Sequence, residues 1–508
     1  MHVVTIVLSV LAVLFALTGG SAAQAPVHSQ LWGEQGEQWS DDSQLPDVSF
    51  AGYRHGEKSI PDYPVVANVR DFGAVGDGEA DDTQAFRDAI AAAEPGDGGA
   101  ILVPAGTYRL TDIVTLDKPN MVLRGEGADA TTLHFERSLE QIAPRPSRTG
   151  HGTTTTHYSW SGGLLRIVGR DAGRELTTVA EPAQRGDRTI TVSSAADIEP
   201  GQVVQIHQRD NDEHTLAHHL YAGDPGSSDG MGTRRVRLVA EVVAVDDDRV
   251  TLNRPLRFDV QQQWQPRVLS VAPTVTDAGI ESLGITFPGG PYRGHFEEDG
   301  FNAIQFVNVD HCWVRDVHIH DADSGMFING RFCTIKNVTF TADRETDSGN
   351  HTGHHGITFH NDDNLVVGAD FQTRFIHDVT VSGVAGNVVS RSRGVDLCFD
   401  HHRWAPYENV FTDIHVGRGT RLWRSGGTGN RGRHTAARAT FWNIRADRPL
   451  SLPPQGWGPT PINIVALQEL EAASGDNPAD WHVEQIDPAA IEPANIHEAQ
   501  LEQRLGRQ

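Results

Sequence analysis

The sequence predicts an all-β solenoid of stacked coils, and three observations lead there. Residues 311–319 align with 332–340 at a constant offset of 21, which places Cys312 over Cys333, Asp316 over Asn337 and Val317 over Val338. A polar residue followed by apolar-x-apolar recurs at Ser282, Asp378, Asp413 and Asn443, and the spacings widen to 30–41 where loops intervene. Each coil of such a repeat buries apolar residues only against its neighbours, so a period of about 20 residues marks a stacked solenoid. The third observation is length. About 485 residues follow an N-terminal leader, more than one compact core holds, and three cysteines are too few for a disulfide framework.

In chain order, the apolar run 3–17 followed by small residues at Ser21 and Ala23 reads as a signal peptide (1–23), cut after Ala23. Residues 24–64 are polar and turn-rich, an N-terminal arm. Residues 65–176 hold the first coils. Within them, 84–93 is a helix introduced by acids and Thr83, alanine-rich inside and stopped by Pro95-Gly96, and 99–108 and 121–127 are short strands closed by glycine turns. Residues 177–269 alternate apolar and polar at 188–192, 202–206, 238–245 and 250–252. They predict an inserted antiparallel β module with its own cluster of Ile190, Val192, Val204, Ile206, Val243 and Leu252. The Gly/Ser/His-rich stretch 210–232 inside it is a candidate flap over a cleft. Residues 270–450 form the main solenoid. Residues 451–508 close the chain with a strand or two and a short helix expected to shield the open end.

The string NVRDFGAVGDGEADDTQAFRDAI, followed by GGAILVPAGTYRL and MVLRGEG, resembles the opening of the pectate-lyase-like superfamily over residues 65–127. The resemblance implies a right-handed parallel β-helix with an N-terminal capping helix, and a polysaccharide as substrate. It leaves the reaction open, because the superfamily includes lyases, hydrolases, epimerases and phage depolymerases. It also leaves open an arginine base assisted by calcium; a calcium requirement would point to the acids near 321–323 as the holders. The Gly76-Asp77-Gly78 turn is no phosphate cradle, since no Lys-Ser/Thr follows.

A net charge of −25 argues against nucleic acid as a partner. Inside this acidic chain, residues 391–445 carry ten arginines against Asp396, Asp400, Glu408 and Asp413, an island suited to an anionic ligand. The expected partner is an anionic polysaccharide met outside the cytoplasm, secreted or periplasmic, with no membrane contact after leader removal.

Four segments concentrate reactive side chains: 320–325, 351–356, 373–378 and 396–409 with the arginines after it. Twelve of the 25 histidines lie between 311 and 434. β-Elimination from a uronate needs a neutralised carboxylate, a base for the C5 proton and an acid for O4. Arg374, Arg403, Arg421 or Arg424 are candidates to neutralise, His355, His377 or His401 to act as base, and Tyr407 as acid. His354, Asp323, Asp400, Glu408 and Trp423 complete the expected substrate contacts. Hydrolysis, the alternative, needs two spaced carboxyl groups, with Asp321 or Asp323, Asp400 and Glu408 available. A non-catalytic glycan-binding β-helix is the third reading. Zinc at His351, His354 and His355 is disfavoured, since adjacent histidines on an extended chain point apart and no Cys or acid adjoins them. No cofactor is therefore expected beyond that calcium. The residues predicted to converge on one lateral patch are His355, Arg374, His401, Arg403 and Arg424.

Overall fold

The computed structural model describes residues 25–150, 152–223, 235–402, 404–426, 435–454, 456–458, 461–469 and 481–506. The expected signal peptide and Arg403 lie outside them, as do Arg431, Arg433, His434 and the second half of the 210–232 loop. Among the described residues no helix is long and apolar enough to cross a membrane.

The chain folds as a parallel β-helix. One wall is a continuous parallel ladder. It runs from Val65–Asn68 through Gly99–Val103, Met121–Gly125, Gly279–Thr286, Trp313–His320 and Thr334–Thr341. It continues through Leu365–Val367, Val388–Ser390, Val410–His415, Thr440–Arg445 and Asn463–Leu467 to His482–Glu484. Trp313 pairs with Thr334 and Val317 with Val338, so the 21-residue register holds and Cys312 stacks over Cys333. Both thiols are buried and free.

Along this wall the recurring polar residue has a backbone cause; Asp378, expected in the same repeat, lies instead on the separate strand Phe375–Val381, where its carboxylate accepts Phe375 and Cys398 N–H. Ser282, Asp316, Asn337, Asp413 and Asn443 have φ of 57°, 55°, 53°, 56° and 56°. That left-handed bend is costly for most side chains and tolerated best by glycine, asparagine and aspartate. At a neighbouring corner, a side-chain ladder satisfies buried backbone donors. Cys333 N–H donates to Asn364 Oδ1 (2.9 Å), Asn364 N–H to Asn387 Oδ1 (3.0 Å) and Asn387 N–H to Asn409 Oδ1 (3.1 Å). Inside the coils, stacked Val, Ile, Leu and Phe side chains form one long core, each contributing about 1.5–3 kcal/mol when fully buried.

The helix Thr83–Ala92 sets Phe86, Ala89 and Ile90 over the first coil, with Phe86 edge-on to Tyr108 at 5.4 Å. Asp82 does not cap it. Its carboxylate instead accepts the N–H groups of Val75 (2.6 Å) and Gly76 (3.2 Å), fixing the turn before the helix.

The second wall is a seven-stranded parallel sheet in the order Phe399–His401, Phe375–Val381, Gly353–Phe359, Ser324–Arg331, Asn302–Asp310, Leu165–Val168, Val114–Leu116. Between the coils, residues 175–270 make a separate six-stranded antiparallel sheet. Its own cluster contains Ile190, Val192, Val204, Ile206 and Leu252 and reaches Ala385, Ala405, Tyr407 and Ala437 of the solenoid. Val243 does not join it, being half exposed on the opposite face.

The closing helix Ile496–Gly506 does not shield the open end as expected. It lies along the outer face of the first wall, where Ile496 N–H donates to Thr412 Oγ1 (3.1 Å) and Asn495 Nδ2 to Ser390 Oγ (2.7 Å). There it clamps the N-terminal arm, Gln500 donating to Pro46 O and accepting from Val48 N–H. Trp32, Leu45 and Val48 of the arm pack against Val388, Val410 and Trp442 beneath it. The chain's two ends therefore seal the side of the solenoid, because that outer face is apolar.

Candidate active site

Three adjacent strands of the second wall set the site. His355 stands opposite His377, Thr358 opposite Thr380, and Thr380 opposite Asp400. Stacking of successive coils therefore stacks their side chains, and the His355 and His377 rings lie 5.0 Å apart, nearly parallel. The His354 ring stacks on His355 at 4.1 Å. The glycine-rich loop 288–301 lays His295 edge-on to His354 at 4.5 Å. Together with Trp160, Trp404, Arg148 and Arg237, these rings line a groove of about 620 Å³. Arg237 comes from the inserted sheet, held by Asp362 at 2.8 Å. The insertion is thus one wall of the groove.

Two buried carboxylates stand behind the imidazoles. Asp400 Oδ2 accepts from His402 Nδ1 at 2.8 Å and meets His377 Nδ1 at 3.0 Å, while Gly426 N–H donates to its Oδ1. Glu298 accepts from Ser159 Oγ (2.7 Å), Tyr292 OH (2.9 Å) and Phe296 N–H (3.0 Å). Its Oε1 also approaches His354 Nδ1 to 3.0 Å. That approach misses the angle of a hydrogen bond, so the buried Nδ1 has no such partner.

Burial dominates the electrostatics. Burial pushes the His354 and His355 imidazoles well below the usual range, and the neighbouring histidines push them further. His295, on an exposed loop, is pushed down to about 4 by partial desolvation of its ring and by His377. These three rings are neutral at neutral pH. Burial alone would raise Asp400, but His377 and His402 outweigh it and hold its carboxyl well below the ordinary value. The site combines neutral imidazoles with a fixed anion beneath His377 and His402.

Of the residues singled out in the sequence, His354, His355 and His377 face the groove and Asp400 lies directly beneath it. Arg403 lies outside the described residues, and the others are elsewhere. His401 points into the core, in register with Val381, its ring against Phe411, Phe441 and Trp457. Tyr407 is buried against the inserted module, where burial pushes its phenol far up. Glu408 is enclosed by Arg185, Arg257 and Arg438. Arg421 is 3% exposed and spends its guanidinium on the carbonyls of Asp396, Phe375 and Ile376 and on the Asp378 carboxylate. Arg374 sits 3.6 Å from Asp396, away from the groove. Trp423 donates to Ser451 O and packs on Phe441 and Trp457, and with Arg424 it borders a separate depression of about 190 Å³. Asp323 accepts Gly300 and Phe301 N–H and pairs with Arg344. The predicted single patch is therefore corrected: Arg374, His401 and Arg424 are not beside His355, and Arg403 lies outside the described residues.

The acids proposed to hold calcium do not fit that ion. Asp321 Oδ1 accepts the N–H groups of Asp343 and Arg344, and Asp323 is committed as above. The groups that come together suit a metal of another class. Among the described residues, His295, His354 and His377, and again His377, Asp400 and His402, each bring three ligand atoms within 4.8 Å of one another. His295, Trp160, Arg148 and Arg237 escaped the sequence reading because each stands alone in its own segment. The visible signal was the glycine-rich loops around residues 150 and 290.

Residues 66–159 match the family model of rhamnogalacturonase A/epimerase, pectate lyase-like proteins. The chain is 34% identical over 104 residues to mannuronan C5-epimerase AlgE1 of Azotobacter vinelandii, which is 19% of this chain and 7% of that protein. It is 34% identical over 100 residues to alginate lyase 7 of the same organism, 18% of this chain and 12% of that one. The chain thus spans only a small part of these relatives' length. Among solved structures, the tailspike protein gp49 from Pseudomonas phage LKA1 shares the fold, with a TM-score of 0.50, 16% identity and coverage of 80% of this chain and 72% of the tailspike.

Proposed function

We propose that this pectate-lyase-like parallel β-helix protein cleaves an anionic, uronate-containing polysaccharide by β-elimination in the histidine groove. The observation that carries the reading is Asp400, a buried carboxylate shared by two imidazoles at the groove floor. A base backed in this way is held in one orientation and one tautomer, with its other ring nitrogen free to take a proton. His402, with 27% of its side chain exposed, is the better placed of the two to meet substrate. It takes the C5 proton, the C–H electrons form the C4=C5 double bond, and the C4–O4 bond breaks. The imidazolium then returns its proton to O4. Arg148 and Arg237 supply positive charge for the uronate carboxylate, and Trp160 and Trp404 offer faces for sugar rings. The names of the matched relatives, a mannuronan epimerase and an alginate lyase, fit the same first step, removal of a C5 proton.

The geometry favours hydrolysis less. Of its four expected acids, Asp321, Asp323 and Glu408 are taken up by backbone donors and arginines, and Asp400 is fully buried beneath the imidazoles. Secretion, expected from residues 1–23, remains part of this proposal. The test is incubation of the protein with uronate-containing and neutral glycans while following ultraviolet absorbance and reducing ends. Elimination yields both signals together. New reducing ends without the conjugated chromophore would replace this reading with hydrolysis, and C5 inversion without cleavage would replace it with epimerisation.

A further inference from the structure

Three imidazoles meet at the groove from three separate stretches of chain: His295 from the 288–301 loop, His354 from the strand Gly353–Phe359 and His377 from the strand Phe375–Val381. One ligand atom of each lies within 4.8 Å of the other two. Nitrogens around a tetrahedral zinc ion, bound at about 2.0–2.1 Å, sit roughly 3.4 Å apart, so small ring rotations close the set. A packed histidine cluster needs nothing more than mutual contact, but this one has more. His377 turns Nδ1 to Asp400 at 3.0 Å, and His354 turns Nδ1 toward Glu298 at 3.0 Å. A carboxylate bonded at Nδ1, as Asp400 is at His377, leaves Nε2 as the ligand, the usual outer support of a metal-bound histidine, and Glu298 stands in the same position behind His354. The His354 Nδ1, 3% of whose side chain is exposed, sits near its carboxylate without completing a hydrogen bond.

We infer that His295, His354 and His377 form a binding site for one divalent transition metal ion of the zinc class, backed by Asp400 and Glu298. Three imidazoles without a thiolate or a directly facing carboxylate select zinc, and likewise cobalt or nickel, over calcium or magnesium, which require oxygen. Three protein ligands leave the fourth position open to the groove, as in catalytic rather than structural zinc sites. Resting on the elimination reading, the ion's task is to draw electron density from the uronate carboxylate and so acidify the C5 proton, while His402 remains the base. The site gathers in space what sequence adjacency argued against: His351 is not part of it, being occupied with Asp347.

The full-length protein, stripped with a chelator, is titrated with Zn²⁺ by calorimetry and with Co²⁺ by visible absorption. One ion per chain with the intense d–d bands of tetrahedral cobalt is the expected result. His354→Ala and the exposed-loop variant His295→Ala should each weaken binding at least tenfold, and Glu298→Gln about 10–100-fold. Absence of cobalt bands, or binding that His295→Ala and His354→Ala leave unchanged, overturns the site. His295 lies on a loop outside the core, so its variant stays informative even where a strand variant fails to fold. Binding is read without substrate, which separates the two proposals. Metal bound in one equivalent with no unsaturated product from any uronate glycan sinks the elimination reading and keeps the site. Undiminished chromophore formation by a metal-free protein sinks the ion's proposed role and leaves elimination standing.

Discussion

The arginines of the 391–445 stretch and the histidine groove, to which the same stretch contributes Asp400 and His402, both look, in sequence, like places where charge is gathered for a ligand, and they use that charge in opposite ways. In the first, Arg391 pairs with Glu498, Arg393 with Asp370, Arg421 with Asp378, Arg438 with Glu408 and Arg445 with Asp413. Three of those acids, Glu498, Asp370 and Asp378, come from outside the stretch, so these five arginines are spent on carboxylates rather than left for a ligand. In the groove, the carboxylates Asp400 and Glu298 are buried behind imidazoles whose remaining nitrogens face an open cavity. Charge density along a chain therefore does not mark a site. The residue whose partners lie behind it, rather than in front, is the one left to meet a ligand.

The sharpest way to break this comparison is to strike each region at its centre. His402→Ala removes the proposed base from the groove and should lower turnover by about 10²–10⁴-fold, the range of a lost general base. Because that side chain is partly exposed, the thermal midpoint should barely move. Chromophore formation under saturating substrate, beside a melting curve, measures both. A variant with wild-type turnover would dissolve the difference between the regions.

The reverse pattern belongs to Glu408, whose carboxylate is enclosed by Arg185, Arg257 and Arg438. Glu408→Gln keeps the shape and removes the charge, leaving buried guanidinium groups short of a counter-ion. Breaking a buried pair costs about 3–5 kcal/mol. The urea midpoint should fall accordingly, while kcat per folded molecule stays near that of the parent. Loss of kcat with stability intact would return Glu408 to the list of hydrolytic acids.

These contrasts explain what was legible in the sequence. The coil register was, because a coil without loop insertions must repeat at constant length, and Trp313 over Thr334 follows from that alone. The capping helix and the inserted sheet were legible from periodicity. The facing of single residues was not. His401 and His402 are neighbours, yet one ring lies among Phe411, Phe441 and Trp457 and the other in the groove. Without the strand's exact phase, both look the same. Nor does a sequence reveal that Arg421 spends its donors on backbone carbonyls, or that a lone His295 in a glycine-rich loop closes a cluster with residues 59 and 82 positions away.

A histidine outside the groove sharpens the comparison from another side. His497 in the closing helix is buried, and burial with Arg504 nearby pushes its imidazole down to about 4. A depressed histidine is neutral in the fold and protonates more readily in the unfolded chain. Its stabilisation is complete above the unfolded value of about 6.5 and is lost as pH falls from there toward 4. Stability should therefore drop by about 1–3 kcal/mol over that window through this residue alone. His497→Phe or His497→Gln should flatten the curve. Hydrogen exchange of residues 496–506 against pH is the direct measurement, and protection unchanged down to pH 4 would mean the helix does not rely on a neutral imidazole.

The smallest effect lies at the bends, where the repeat was first visible. Asn337 has φ of 53°, and its Nδ2 donates to Asp316 Oδ1 at 2.9 Å on the coil before it. Asn337→Ala forces a Cβ-bearing residue without a local hydrogen bond into the left-handed region, at a cost of about 1–2 kcal/mol. Asn337→Gly loses the same hydrogen bond but adopts the conformation freely, and should cost about 0.5–1 kcal/mol through chain entropy. The order, with alanine worse than glycine, is the informative result, since loss of the hydrogen bond is common to both variants. Equal losses would mean that the inter-coil hydrogen bond, not the backbone bend, is what the repeated Asp and Asn residues serve. The five-fold recurrence of φ near 55° at Ser282, Asp316, Asn337, Asp413 and Asn443 argues for the bend, because serine at the first of them lacks the amide that makes the contact at Asn337.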